Sequence, residues 1–296
     1  MMPRRLATLL GNYPVTAPLL RGDIRSPRVE LAFADVPRPA AAFKRVVRNL
    51  EFDVAELALV TYLLARAFDK PLVLLPAVVM ARFQHPYLVY DATRGVQTPQ
   101  SLAGKRVAIR SYSVTTAVWI RGLLDELGTP ASSITWLTTE AAHVAEFVDP
   151  PNVVIAPAGA ELLAMLLAGE VDAAVLAEVP DDPRLKPVFT DPEAAARAWH
   201  RATGALQINH MVVVRRSLAA NEPDVVREVF RMLAASKTAA GLPVAATIDT
   251  APLGLDAMRR SLEMAVDCVW RQGMIPRRVG VDELFDDTTR DLRPDQ

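Results

Sequence analysis

The sequence predicts an α/β fold in two lobes, each a mostly parallel sheet flanked by helices. Short segments rich in Val, Ile and Leu recur at 28–33, 72–79, 87–91, 106–110, 134–137, 152–157, 173–178 and 210–216, and read as strands. Helical patterns lie between them at 39–49, 54–67, 114–127, 159–168, 191–200, 222–240 and 255–272, and such alternation builds parallel sheets covered by helices. Two stretches break the pattern: the turn-rich "DATRGVQTPQSLAGK" (91–105) and "RATGALQIN" (201–209). They bracket a second lobe at 96–206, leaving 1–95 plus 207–296 as a discontinuous first lobe; each is of ordinary domain size. Two lobes joined by two crossings predict a ligand cleft between them.

Composition narrows the function. The 296 residues are 51% hydrophobic, which suits a globular chain with a large core. The 33 basic and 34 acidic residues nearly cancel, and no basic run stands out, so no nucleic-acid partner is expected. Any charged ligand must be held by local groups. Cys268 is the sole cysteine, so it forms no internal disulfide and is expected to be a buried thiol. Arg4 and Arg5 resemble the start of an export leader, but the apolar run Leu6–Leu10 is too short for one. "LALVTYLLARAF" is cut off by Arg66, so no membrane span is expected and the chain reads as cytoplasmic. Nothing indicates an oligomeric state. GxGxxG, GxxxxGK[ST] and GxSxG motifs are absent. The four histidines show neither HxH nor HExxH spacing, so the sequence gives no metal motif; a divalent metal stays open only through tertiary clustering of His85, His210 and a carboxylate.

Candidate site residues begin with "RSYSVTTAVWIRGLLDELG" (110–128). A strand should end near Arg110 and a helix start around Val114 or Thr115, with Ser113 as its N-cap. Ser111, Tyr112, Thr115 and Thr116 exceed what capping needs. Hydroxyls, helix N–H groups and Arg110 together suit a carboxylate ligand. Trp119 is expected in the core and Arg121 on a solvated or inter-lobe surface. His85 precedes a strand, where a lone His is ordinarily structural; Arg82, three residues earlier, points either the same way or into solvent. The pair Asn209-His210 opens a strand at the second crossing. His210 reads either as a histidine bonded to hinge backbone or as an acid/base group near neutral pH. Glu56 falls at the start of a predicted helix, where a carboxylate complements the dipole. His143 and His200 read as solvated surface.

"GVQTPQSLAGKRVAIRSYSVTTAVWIRGLLDELG" followed by "LLAGEVDAAVLAE" resembles the type II periplasmic-binding-protein fold. "FDVAELALVTYLLAR" (52–66), "RFQHPYLVY" (82–90), "YSVTTAVWIRGLL" (112–124), "INHMVVVRRSL" (208–218) and "WRQGMIPRRVGVDELF" (270–285) together resemble the 4,5-dihydroxyphthalate decarboxylase group, over most of the chain. The resemblance implies a cofactor-independent or metal-assisted decarboxylase acting on a hydroxylated, phthalate-like aromatic acid. The alternative within the same fold is a non-catalytic binding protein for a small carboxylate, of solute-binding type or a cytoplasmic sensor. The resemblance raises His85 and an acidic residue at Glu56, which join His210 as expected catalytic groups. Arg110, Ser111, Tyr112, Ser113, Thr115, Thr116, Arg82 and Asn209 are the expected ligand contacts. The chain departs from the group's pattern at Gln84 and Pro86, where Arg and Ser are usual, and at Asn209-His210-Met211, where the group has Met-His-Thr. These changes imply a reshaped pocket.

Overall fold

The computed structural model describes residues 2–295. The chain forms two compact units. The first takes residues up to Arg82, Ile208–Trp270 and Ile275 onward; the second takes Phe83–Gln207 and Arg271–Met274. The first crossing therefore falls at 82/83 rather than 95/96. The reason is β5 (Leu88–Asp91), which pairs with strands of the second sheet and carries its neighbours with it.

The first unit is built on β1 (Arg4–Leu9), β2 (Val29–Phe33), β3 (Val54–Ala58), β4 (Leu72–Ala81) and, from much later in the chain, β11 (Ile208–Arg215). Their order is β2-β1-β3-β11-β4. β1 runs parallel to both β2 and β3, whereas β11 is antiparallel to β3 and β4. Helices α1 (Ala17–Leu20), α2 (Phe43–Asn49) and α3 (Leu59–Ala67) lie between these strands in sequence. The second unit's sheet has the order β10-β5-β9-β6-β7-β8, with β6 (Arg106–Ile109), β7 (Thr135–Thr138), β8 (Val153–Ile155), β9 (Ala173–Val175) and β10 (Leu185–Pro187). β9, β6, β7 and β8 are parallel, while β5 is antiparallel to both of its neighbours. Both sheets are thus mixed: each has a parallel part, as the alternating sequence predicts, and antiparallel strands beside it. The second unit's helices are α4 (Thr115–Glu126), α5 (Leu162–Ala168) and α6 (Pro192–Thr203). The chain returns to the first unit for α7 (Arg216–Asn221), α8 (Pro223–Ala239) and α9 (Leu255–Arg271).

Apolar burial holds each unit together. In the first, Leu6, Val54, Val73, Leu75, Val212 and Val214 pack with Phe230 and Leu233 of α8. In the second, Val89, Ala108, Leu137 and Ala174 pack with Met165 and Leu166 of α5. At roughly 25 cal/mol per Å² of apolar surface, such contacts are the main favourable term in each core.

The segment 54–67, expected to be one helix, is a strand followed by a helix. Glu56 therefore lies inside β3 and not at a helix start. β1 coincides with the run that resembled a leader fragment. Cys268 is half-buried rather than fully buried.

Arg121 also differs from expectation. It is wholly buried in the second unit. Its Nη2 donates to the Tyr112 carbonyl at 2.7 Å, and its Nε donates to Gln272 Oε1 at 2.7 Å. The guanidinium lies over the Tyr112 ring, 3.7 Å from the centroid. Gln272 Nε2 in turn donates to the Val118 carbonyl at 3.0 Å. The short segment 271–274 is thereby fastened to α4 through one planar cation. Lysine cannot supply two donors in that fixed fork or stack in the same way. Arg121→Lys should lower unfolding free energy by about 1–3 kcal/mol, and Arg121→Ala by about 3–5 kcal/mol, since both leave buried acceptors unmet. Urea denaturation followed by circular dichroism reads both; equal midpoints for the wild type and Arg121→Lys would contradict this account.

Candidate functional site

In the first unit the site grows from the register of β3 and β11. Glu56 lies opposite Val212, and His210 opposite Ala58, in an antiparallel ladder. Glu56 and His210 are therefore diagonal neighbours on one face, within reach of long side chains. Glu56 is fully buried, and the His210 side chain retains 14% of its exposure. His210 Nδ1 lies 2.5 Å from Glu56 Oε1. A carboxylate only accepts, so Nδ1 carries the proton.

Two more donors converge on the same carboxylate from the loop after β1. Tyr13 Oη donates to Glu56 Oε1 at 2.6 Å, and the Gly11 backbone N–H donates to Oε2 at 2.7 Å. β1 is aligned with β3 through Leu9↔Ala55, so this loop emerges beside Glu56 at the carboxyl end of a parallel strand. Loops there are a common place for functional groups in α/β folds. Thr16 ties the loop down, its hydroxyl donating to the Gly11 carbonyl at 2.5 Å and accepting from Tyr13 N–H at 3.0 Å. Gly11 is required by space: a Cβ there would lie 2.6–2.8 Å from the Tyr13 ring and hydroxyl. Burial and the neighbouring Glu56 charge push the Tyr13 phenol well above its ordinary range, with the Arg82 charge partly opposing the rise. Tyr13 is thus a protonated donor. Phe43 closes on His210 edge-to-face, with ring centroids 5.2 Å apart.

Of the residues expected from sequence, the structure therefore brings Glu56 and His210 into contact and places the Arg82 charge near Tyr13. Asn209, next to His210 on β11, is buried. Tyr13 and Gly11 were not anticipated. The only sequence signal for them was a Gly-Asn-Tyr break directly after an apolar run.

The other expected residues belong to the second unit. His85 sits in a short 3₁₀ turn, 3% exposed, with its ring edge-on to Phe189 at 5.2 Å. Burial pushes its imidazole down to about 4, so it is neutral near pH 7. Ser111, Tyr112, Ser113, Thr115 and Thr116 are all buried, and Arg110 is half-buried. α4 starts at Thr115 as expected, but its N-cap is Val114, and no side chain caps it; Ser113 is not the cap. Ser113 Oγ lies 3.4 Å from Ser111 Oγ, and the Val114 N–H donates to the Ser111 carbonyl at 3.2 Å. The Arg110 carbonyl accepts from the N–H groups of Thr139 and Glu140 at 3.1 and 2.7 Å. Tyr112 presents its ring to Arg121. His143, expected on the surface, is buried, while His200 is half-buried and bonds through Nδ1 to the Ala205 carbonyl at 2.8 Å. Among the described residues, no group of three or more His, Cys, Asp or Glu side chains is placed to hold a metal ion, and no helix is long and apolar enough to cross a membrane.

No family model matches the chain. It is 28% identical over 302 residues to a 4,5-dihydroxyphthalate decarboxylase of Comamonas testosteroni, covering 96% of this chain and 91% of that protein. It is 30% identical over 211 residues to a 4,5-dihydroxyphthalate decarboxylase of Pseudomonas putida, covering 67% of this chain and 81% of that one. Among solved structures it is similar to the alkanesulfonate-binding protein SsuA of Xanthomonas axonopodis pv. citri, with a TM-score of 0.59 at 18% identity over 97% of this chain and 99% of that one. The structural likeness establishes the fold, that of periplasmic binding proteins of the SsuA type. The extent and level of the sequence matches show that the chain belongs to the 4,5-dihydroxyphthalate decarboxylase family.

Proposed function

We propose that the protein is a decarboxylase of a hydroxylated aromatic acid of the phthalate class. The observation that carries this reading is the buried Glu56–His210 pair, with Tyr13 and Gly11 as further donors to the carboxylate. The names of the two decarboxylase relatives supply the substrate class.

The chemistry follows from the pair. Replacing an aryl carboxylate by hydrogen consumes one proton and releases carbon dioxide. A ring hydroxyl para to the departing group pushes electron density onto the carbon that bears it. An acid then protonates that carbon, and loss of carbon dioxide restores the aromatic ring. His210 Nδ1–H is committed to Glu56, which leaves Nε2 to carry and deliver the proton. The Glu56 carboxylate stabilises positive charge on the imidazole, as carboxylates do in other His-based catalytic pairs. Tyr13 and Gly11 hold Glu56 in one orientation, which fixes the tautomer and aim of the ring. The ring itself is the electron sink, so the sequence requires no organic cofactor; assays with a chelator and with added divalent metal decide whether a metal assists. For the second unit, we propose the buried hydroxyls of Ser111, Ser113, Thr115 and Thr116, with Arg110, as donors to a carboxylate.

His210→Ala and Glu56→Gln should each lower kcat for carbon dioxide release from 4,5-dihydroxyphthalate by about 10²- to 10⁴-fold, the range for losing a general acid or its orienting partner. Binding of the acid with no carbon dioxide released by the wild type, with or without divalent metal, would make the chain a binding protein instead. Gly11→Ala should displace Tyr13 and cost about tenfold or more in kcat, the scale of a lost orienting contact, with little change in KM. An unchanged kcat in Gly11→Ala would mean that Tyr13 does not orient the pair.

His85 gives a pH prediction. Its folded value of about 4 lies below the ordinary 6.5. Between those values the unfolded chain binds a proton that the folded chain does not. Stability therefore rises with pH from about 4 to 6.5 and is lost on acidification, by about 3 kcal/mol in all. In urea titrations at pH 4.5 and 7, His85→Phe should lose less stability on acidification than the wild type; parallel losses would show that His85 does not titrate in this way.

A further inference from the structure

Gln207 and His85 of the second unit have no part in the proton chemistry above. Gln207 is 1% exposed. Its Oε1 accepts from the Gln84 backbone N–H at 2.5 Å, which fixes the amide's orientation and turns Nε2 elsewhere. That Nε2 is buried and has no hydrogen-bond partner. His85 follows Gln84 directly in the chain, and its Nδ1 is likewise buried without a partner. A buried polar atom left unmet is costly, so the two call for an occupant.

The chemistry of that occupant is constrained. The amide nitrogen can only donate. A neutral imidazole nitrogen donates or accepts according to its tautomer. Burial pushes the His85 imidazole down, so it is neutral near pH 7. Phe189 covers one side of the ring. With an aromatic ring against the imidazole, desolvating an anion here would be costly. A neutral hydroxyl can accept from the amide and can either donate to the imidazole or accept from it, so its chemistry matches both atoms.

We propose that Gln207 and His85 form a neutral recognition element for a ring hydroxyl of the ligand, and so select hydroxylated over unhydroxylated aromatic acids. The ligand class rests on the decarboxylase reading; the placement of the hydroxyl contact does not. The element lies in the second unit, is separate from the Glu56–His210 pair and handles no proton. Sites built to hydrogen-bond a hydroxyl reject analogues that lack it, because the site's own polar atoms are then left unmet.

The test is calorimetric affinity for benzoate, 4-hydroxybenzoate and 3,4-dihydroxybenzoate, in the wild type, Gln207→Glu, Gln207→Met and His85→Phe. Gln207→Glu keeps an acceptor for the Gln84 N–H and removes the donor. His85→Phe keeps a ring against Phe189 and removes the nitrogen. The wild type should bind at least one hydroxylated acid about 10- to 100-fold more tightly than benzoate, the equivalent of one or two buried hydrogen bonds. Each variant should reduce that ratio towards one. Because the ratio is taken within one protein, a general loss of folded molecules does not change it, and thermal melts confirm that each variant is folded. A ratio unchanged in all three variants would overturn the proposal and show that the two atoms hold a buried water only. Equal affinities across the series in the wild type would also overturn it while leaving the decarboxylase reading intact. Discrimination in the wild type that the variants abolish, without carbon dioxide release from 4,5-dihydroxyphthalate, would support this element and sink the decarboxylase reading.

Discussion

A carboxylate buried in the middle of a sheet is the constraint on which the first unit depends. Glu56 is fully buried on β3, flanked by β1 and β11. An ion taken out of water costs several kcal/mol unless charge and hydrogen bonds replace its hydration. Here the replacement comes from three directions: an imidazole N–H from β11, a phenol and a backbone N–H from the loop after β1. That requirement reaches well beyond the three contacts. It sets the register of β11, since a slip of one residue would turn His210 to the other face. It demands a residue without a Cβ at position 11, because the Tyr13 ring occupies that space. It also explains why Thr16 ties the loop down at two points.

The two histidines of interest show how environment divides labour between identical side chains. His210 has a carboxylate at 2.5 Å and keeps some exposure. His85 has an aromatic ring beside it, and burial pushes it down to about 4. The first arrangement suits a group whose charge changes during a reaction. The second suits a group that stays neutral and makes a directional hydrogen bond. Sequence placed both among the candidate groups but gave no means of assigning their roles, because the difference lies wholly in tertiary neighbours.

The fold class, the alternation of elements and most strands were legible because runs of Val, Ile and Leu mark buried strands strongly. The failures share a cause. Segment 54–67 is apolar almost throughout, with no Gly or Pro at the 58/59 joint, so strand and helix merge into one helical pattern. Glu56 then looked like a helix-start carboxylate. β1 was obscured by Arg4 and Arg5 and by its short apolar run. Arg121 was placed at a solvated or inter-lobe surface because its partners, Tyr112 and Gln272, are 9 and 151 residues away in the chain. Gln207 carried no signal at all: an amide at a crossing looks like any loop residue until its buried, unmet nitrogen is seen. Glu56 and His210 were legible singly, while their pairing was not, since it depends on a diagonal relation across a ladder that joins residues 154 apart.

The same buried pair bears on the choice between clamp and catalyst. A protein that only binds a small carboxylate gains from cations and N–H donors and gains nothing from a carboxylate of its own. Like charges in a low-dielectric site weaken the ligand's binding. A structural role for Glu56 is also a poor account, because a buried ion pair is often no more stabilising than apolar residues of the same volume. What the arrangement does provide is an imidazole with a fixed tautomer, a partner for positive charge, and one ring nitrogen left for exchange. Those features fit the proposed delivery of a proton to carbon, and the SsuA-type fold supplies the scaffold on which they are mounted.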